Sequence, residues 1–212
     1  MQITDAKKTK RGKIAVSVDG EFLVSVDEFC WISSRLTIGE EVEPDTLNAL
    51  LADSRRAEAK RRALNMLGQR SYTARQLGDR LCAKTDRAAA DAAVARMQEL
   101  GYLDDADTAS RWAQELYGKG YALRRVRFEL SRRGIDRETL DEALEFIDPD
   151  DEPTRASELL AARIGPIETE KDRRRAAALL ERYGYRAEAV SHALRSATTM
   201  KTEESLWDYM SE

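Results

Sequence analysis

The sequence predicts an all-α protein. Three tandem three-helix repeats of about 50 residues should form an elongated curved array, carried behind a small N-terminal β-hairpin extension. Three observations predict this: apolar positions with helical spacing recur at a fixed long period, the same helix-stop device occurs three times, and one alternating stretch near the N-terminus brackets an Asp-Gly pair.

The period is the strongest signal. Ala74, Leu77 and Leu81 stand at i, i+3 and i+7 of one helix. Leu123, Val126 and Leu130 repeat that spacing, and Arg173, Ala176 and Leu180 repeat it again, with arginine replacing the first apolar residue. The helix that follows repeats in phase through Ala90/Leu140/Val190, Ala93/Ala143/Ala193, Val94/Leu144/Leu194 and Met97/Ile147/Ala197. In each copy these four positions form one helix face. Gly101, Gly134 and Gly184 each close a helical run and are followed at once by Tyr102, Ile135 or Tyr185. Glycine at C′ with an apolar residue at C″ is the Schellman stop, where the apolar side chain folds back on its own helix.

The elements then follow in order. Residues 1–53 form the extension, with Met1 to Lys13 polar, basic and lacking an apolar core segment, so no secretory signal is expected. Residues 13–26 read as a hairpin. A two-residue turn at Asp19-Gly20 would put Ile14 and Val16 on the face opposite Phe22 and Val24, so an odd loop ending at Gly20 is preferred. Residues 28–38 offer a short helix with Phe29, Ile32 and Leu36 inward. From Pro44 the chain is helical, with Asp45 as a plausible N-cap and a long amphipathic run through Leu47, Leu50, Leu51, Ala63, Leu64 and Leu67. Thr73 and Gln76 fit a capping box, and Asp86 and Asp136 fit N-caps. The repeats span 54–103, 104–148 and 149–197, and 198–212 is an acidic tail.

Composition narrows the function. The net charge of −4 hides a basic middle: residues 1–53 net −4, residues 54–147 net +4, and residues 148–212 net −4. Tight DNA binding rests on phosphate neutralisation, so this distribution argues against a simple high-affinity DNA binder and permits weak contact from the middle alone. No apolar run is long enough to span a bilayer. Cys30 and Cys82 form no CxxC pair and read as two small buried side chains of a reducing compartment; the single His192 reads as a surface or satisfied histidine. There is no Gly-rich phosphate loop, HExxH or nucleophile elbow, so no catalytic, cofactor or metal residues are assigned. Asp104-Asp105 reads as N-capping at a helix start, and Asp148-Pro149-Asp150-Asp151-Glu152-Pro153 as a solvated connector.

The candidate binding residues are arginines: Arg124, Arg125, Arg127, Arg132 and Arg133 in the middle repeat, and Arg173, Arg174 and Arg175 in the third. On a wheel with Leu123 at zero, Arg125 and Arg132 fall about opposite the Leu123/Val126/Leu130 stripe, with Arg124 and Phe128 nearby. The plain reading is a solvated face. The functional one is docking to an acidic protein surface or a phosphate backbone, for which arginine's planar fork suits bidentate contact.

Gly101-Tyr102-Leu103-Asp104-Asp105, then Arg127-Phe128-Glu129-Leu130 running into Gly134-Ile135, resemble the central motifs of the RecX family of recombination regulators. The resemblance covers residues 56–197, and the hairpin with segment 36–43 is similar to the N-terminal extension of longer members. Gln76 stands where a glutamate is expected and Thr85 where a glycine is usual, so the first repeat is the least typical. The resemblance implies a cytoplasmic, monomeric, non-enzymatic protein without a cofactor. Its implied partner is the RecA recombinase, free or as a filament on single-stranded DNA, whose ATP hydrolysis and strand exchange it would inhibit. On the residues alone, a helical DNA-binding transcription regulator and a helical scaffold stay open.

Overall fold

The computed structural model describes residues 1–197; the acidic tail expected at 198–212 lies outside the described residues. The chain divides into two compact units, Met1–Asp104 and a second that begins at Asp105.

The first unit opens with three antiparallel strands in sequence order, β1 (Ile3–Lys8), β2 (Lys13–Val18) and β3 (Glu21–Asp27). β1 falls in the stretch that looked too polar for a core segment, yet its Ile3 is fully buried. The β2–β3 connection corrects the expected odd loop. Val18 pairs with Glu21 across a two-residue turn, and Asp19 and Gly20 both have positive φ, at 51° and 87°, the geometry that matches strand twist. The odd residue sits in the strand instead. Ser17 pairs with Phe22 but Val16 pairs with Val24, so Leu23 is a bulge. The bulge returns Val24 and Val26 to the face of Val16 and Ile14 and leaves Phe22 66% exposed.

Helix α1 (Glu28–Ser34) is capped by Asp27, whose carboxylate accepts from the Phe29 amide. Its phase also differs from expectation. Phe29 and Ile32 are exposed, and Cys30, Trp31 and Leu36 pack on the sheet. Cys30 and Cys82 are free and half-buried rather than buried. Burial and the nearby Asp27 and Asp53 push the Cys30 thiol up from its ordinary range.

Helix α2 (Pro44–Leu67) starts at Glu43 with Pro44 in its first turn, so Asp45 is a first-turn acid and not the cap. The helix is continuous through residue 54 and serves two cores. Leu47 and Leu50 pack on the sheet with Ile3, Val16 and Val26, while Ala59 and Ala63 pack with α3 (Ala74–Cys82) and α4 (Arg87–Glu99). Where it passes from one to the other, the buried Ser54 hydroxyl accepts from the Asp27 amide at 2.9 Å. One turn on, Glu58 accepts from Lys13 of β2 at 2.6 Å and pairs with Arg62. Those hydrogen bonds, Lys13's first, hold its carboxyl at about 2. Thr73 caps α3 by accepting from the Gln76 amide at 3.2 Å, but the Gln76 side-chain oxygen is buried without a partner, so the return half of the capping box is not made.

The second unit repeats the three-helix pattern twice. Helices α5 (Asp105–Gly118), α6 (Leu123–Arg132) and α7 (Arg137–Ala143) bury Ala113, Val126, Leu130, Leu140 and Leu144. Helices α8 (Glu152–Arg163), α9 (Glu170–Tyr183) and α10 (187–197) bury Leu160, Ala176, Leu180, Val190 and Ala193. Ala93, Ala143 and Ala193 are all buried, as the period requires of one repeated core position. The chain is thus an all-helical repeat fold with a small N-terminal sheet. The carboxylate-rich connector is not wholly solvated: the Glu152 side chain is only 14% exposed and accepts from the Arg186 amide at 2.9 Å.

The three helix stops form, with the C″ amide reaching back to Met97, Leu130 and Leu180 in turn. Ile135 and Tyr185 fold into their cores, whereas Tyr102 is 60% exposed and Leu103 is buried in its place. Gly184 is a special case. At φ 92°, a Cβ there would lie 2.5 Å from Cβ of Arg125 on α6, while a Cβ at Gly101, φ 70°, would meet nothing.

Two outcomes follow for stability. Gly101→Ala should cost about 1–2 kcal/mol, the conformational penalty alone, whereas Gly184→Ala adds a backbone clash and should cost about 2–5 kcal/mol, read from denaturant melts. Glu58 titrates lower in the folded chain than its ordinary 4.5. Its contribution is therefore full above that value and is lost as pH falls toward about 2. Melts of wild type and Glu58→Gln should converge across that window and differ most near neutrality.

Candidate functional site

The candidate arginines fall on α6 and α9, and the way these helices meet decides which are available. The α6 N-terminus has no side-chain cap; instead the Ala122 amide donates to the Tyr183 carbonyl at the end of α9 at 3.0 Å. Tyr121 stacks on Tyr183 with ring centroids 4.8 Å apart, and the Tyr185 hydroxyl donates to the Gly120 carbonyl at 2.9 Å. Arg155 of α8 donates to the Tyr117 carbonyl and lies 3.5 Å above the Tyr117 ring centroid. Both repeats of this unit are therefore joined by backbone and aromatic contacts around the first turn of α6.

That junction corrects the helical wheel at Arg125. The wheel puts it outermost, but its Cα and Cβ lie against Gly184 and the residue is half-buried. Arg125 pairs with Glu129 at 2.7 Å, and its Nε is buried without a partner. Glu129, with a side chain 12% exposed, is shared with Arg132 at 3.2 Å. Arg127 pairs with Asp141 of α7, a hydrogen bond that holds the Asp141 carboxyl below its ordinary range. The Arg133 guanidinium lies 4.5 Å over the Trp112 ring. Arg124 points out, and Phe128 beside it is 54% exposed.

On α9 the capping box of Thr169 and Asp172 sets the first turn. Arg173, Arg174 and Arg175 are all exposed, with Arg174 paired to Glu170 at 3.4 Å. Arg175 lies nine positions before Gly184, so about 13 Å of helix separates it from the contact with Arg125. The eight arginines thus form two patches rather than one. Two further arginines escaped the sequence reading: Arg163 at the end of α8 and Arg182 line one groove with Arg175. Arg182 was within reach of pattern reasoning, since it stands two turns from Arg175, but nothing in the sequence points α8 toward α9. Among the described residues no group of three or more His, Cys, Asp and Glu side chains could hold a metal ion, and no helix is long and apolar enough to cross a membrane. His192 is exposed, and Asp105 with Asp107 lies in the first turn of α5.

Residues 104–144 match the family model described as RecX, second three-helix domain. A regulatory protein RecX from Deinococcus radiodurans is 30% identical over 162 residues, which are 76% of this chain and 78% of that protein. The chain belongs to the RecX family. Another RecX, from Stenotrophomonas maltophilia, is 33% identical across 63% of this chain and 83% of its own length. A third, from Caldanaerobacter subterraneus subsp. tengcongensis, is 26% identical and aligns over 89% of this chain and 95% of its own. A crystal structure of a regulatory protein RecX has the same fold, with a TM-score of 0.64 at 19% identity over 91% of this chain and 98% of its own. The matched segment 104–144 contains α5, α6 and α7, so it includes five of the eight candidate arginines.

The geometry separates neighbours that the sequence treats alike. Arg125→Ala removes a packed stem and half of the Glu129 network and should cost about 1–2 kcal/mol; Arg124→Ala, on open surface, should change stability by less than about 0.5 kcal/mol. Equal costs in paired melts would show that Arg125 is ordinary surface.

Proposed function

We propose that this chain is a cytoplasmic, non-enzymatic regulator that binds a RecA recombinase filament on single-stranded DNA and inhibits its ATP hydrolysis and strand exchange. Membership of the RecX family carries the reading, since the central motifs of that family are those that imply a RecA partner. The surface chemistry supports it. Arg124 and Arg132 are exposed on α6 beside the exposed Phe128, and Arg173 and Arg175 are exposed on α9. Guanidinium groups flanking an aromatic suit a surface that presents carboxylates or phosphates. Arg125, Arg127 and Arg133 take a supporting part, because each is engaged with Glu129, Asp141 or Trp112, whereas Arg132, which also shares Glu129, keeps 68% of its side chain exposed. No cofactor is assigned, and the binding unit is the monomer.

Arg124→Glu with Arg132→Glu reverses the exposed α6 face without touching the Gly184 contact. Inhibition of filament ATP hydrolysis should fall at least about tenfold in potency while circular dichroism is unchanged, and wild-type inhibition should weaken as added salt screens exposed charges. A folded double variant that inhibits like wild type would sink the assignment of this face. Equal binding to bare single-stranded DNA and to the filament would favour direct DNA binding instead.

A further inference from the structure

The net charge of the N-terminal extension conceals a separation. Residues 1–13 carry five bases and one acid, net +4, whereas residues 14–53 carry one base and nine acids, net −8. The sheet places the two signs at opposite ends. At the β2–β3 end stand Asp19, Glu21, Glu40 and Glu41: Asp19 accepts from the Gln2 amide at 2.7 Å, the Glu40 carbonyl accepts from Ile3, and Glu41 bridges to Gln2. Lys8, Lys10, Arg11 and Lys13 surround the β1–β2 turn, about 17 Å away along β1. In that turn the Gly12 amide donates to the Thr9 carbonyl at 3.0 Å and the Thr9 hydroxyl accepts from the Lys13 amide at 3.1 Å. Lys10 and Arg11 therefore take its two central positions, and both are exposed.

Helix α2 adds to the same end. Lys13 shares Glu58 with Arg62, and Asp27, opposite Lys13 across the strands, pairs with Arg61 at 3.4 Å. Lys8 pairs with Glu28 at 2.7 Å. Six cations, Lys8, Lys10, Arg11, Lys13, Arg61 and Arg62, thus gather around three carboxylates, an excess of three. The ion pairs fasten the strands to α1 and α2, so the excess is carried on a rigid frame. A fixed array of cations fits a stiff polyanion of dense charge, and duplex DNA carries one phosphate charge per about 1.7 Å of its axis. A single strand is held largely by stacking its bases on aromatic rings, and residues 7–13 and 60–62 contain none. Phe29, exposed next to Glu28, shares its groove with Asp53, whose charge repels phosphate. A lipid surface is the weaker fit too, since the turn has no apolar side chain to insert.

We propose that the β1–β2 turn and the adjoining turn of α2 form an anchor for duplex DNA. Lys10 and Arg11 meet the phosphates, and Lys13, Arg61 and Arg62 extend the positive field. The contact reads backbone rather than bases, so it is independent of base sequence. It uses none of the arginines of α6 and α9 and does not rest on the filament reading.

The test uses the full chain and the fluorescence anisotropy of a short labelled duplex, at salt from about 50 to 200 mM. Wild type should bind, and more weakly as salt rises. Lys10→Gln with Arg11→Gln leaves Thr9 and Gly12, and hence the turn, in place. It should weaken duplex binding at least about tenfold and make the plot of log K against log salt shallower by about 1.8, two phosphates at about 0.9 each. Lys10→Arg with Arg11→Lys keeps the charge and should bind like wild type, with circular dichroism checking that both variants fold. The same proteins are titrated with a single strand of equal length and with polyglutamate, on which the loss should be smaller. A folded glutamine variant that holds the duplex like wild type overturns the proposal. So does a larger loss on the single strand or on polyglutamate, which would make the turn a site for those chains instead.

Discussion

The second unit depends on the closeness with which the end of α9 meets the start of α6. Gly184 leaves no room for a side chain against Arg125, and that missing atom lets the Ala122 amide reach the Tyr183 carbonyl. Tyr121 and Tyr183 can then stack, and the Tyr185 hydroxyl finds the Gly120 carbonyl. With no side-chain N-cap on α6, the Tyr183 carbonyl is what satisfies the Ala122 amide at its start. The same glycine therefore ends one helix and supports the beginning of another from a different repeat. It also fixes which arginines are architecture: Arg125 is held against it, and Arg124, one residue earlier, is released to solvent.

Much of the fold was legible in the residues because it rests on periodicity. Leu77, Leu81, Val126, Leu130, Ala176 and Leu180 are buried where the spacing puts them, and the caps at Thr73, Asp86 and Asp136 form. The illegible parts depend on contacts between segments. The parity of the hairpin was right, but a bulge at Leu23 supplies it, and alternation alone cannot distinguish a residue added in the loop from one added in the strand. Strand β1 has one deeply buried residue, Ile3, too few to leave a pattern. The seven-residue α1 spans only two turns, so a wheel drawn on Phe29 and Ile32 fits as well as the true one on Cys30 and Trp31.

The binding residues were legible as composition and less so as geometry. Arginine clusters are visible in any reading of the chain, but a wheel counts every outward position as solvent. Arg125 shows the error: on α6 "outward" means toward another helix. Glu129 and Asp141 then absorb the charge of arginines that look free in isolation. The groove at Arg163 and Arg182 joins side chains from two helices across a loop with no periodic signal, so only coordinates bring them together.

The unbroken α2 has a consequence for how the first unit responds to damage. One rigid rod belongs to both the sheet core and the first repeat, and Ser54 and Glu58 tie it to the strands at the crossover. Loosening the strands strips the apolar face from the first turns of a helix whose later turns hold α3 and α4. Amide hydrogens in the sheet and in the first repeat should then exchange through a shared opening, as one foldon. The N-terminal extension is in that sense no appendage: shortening the chain from this end shortens the beam on which the first repeat is built.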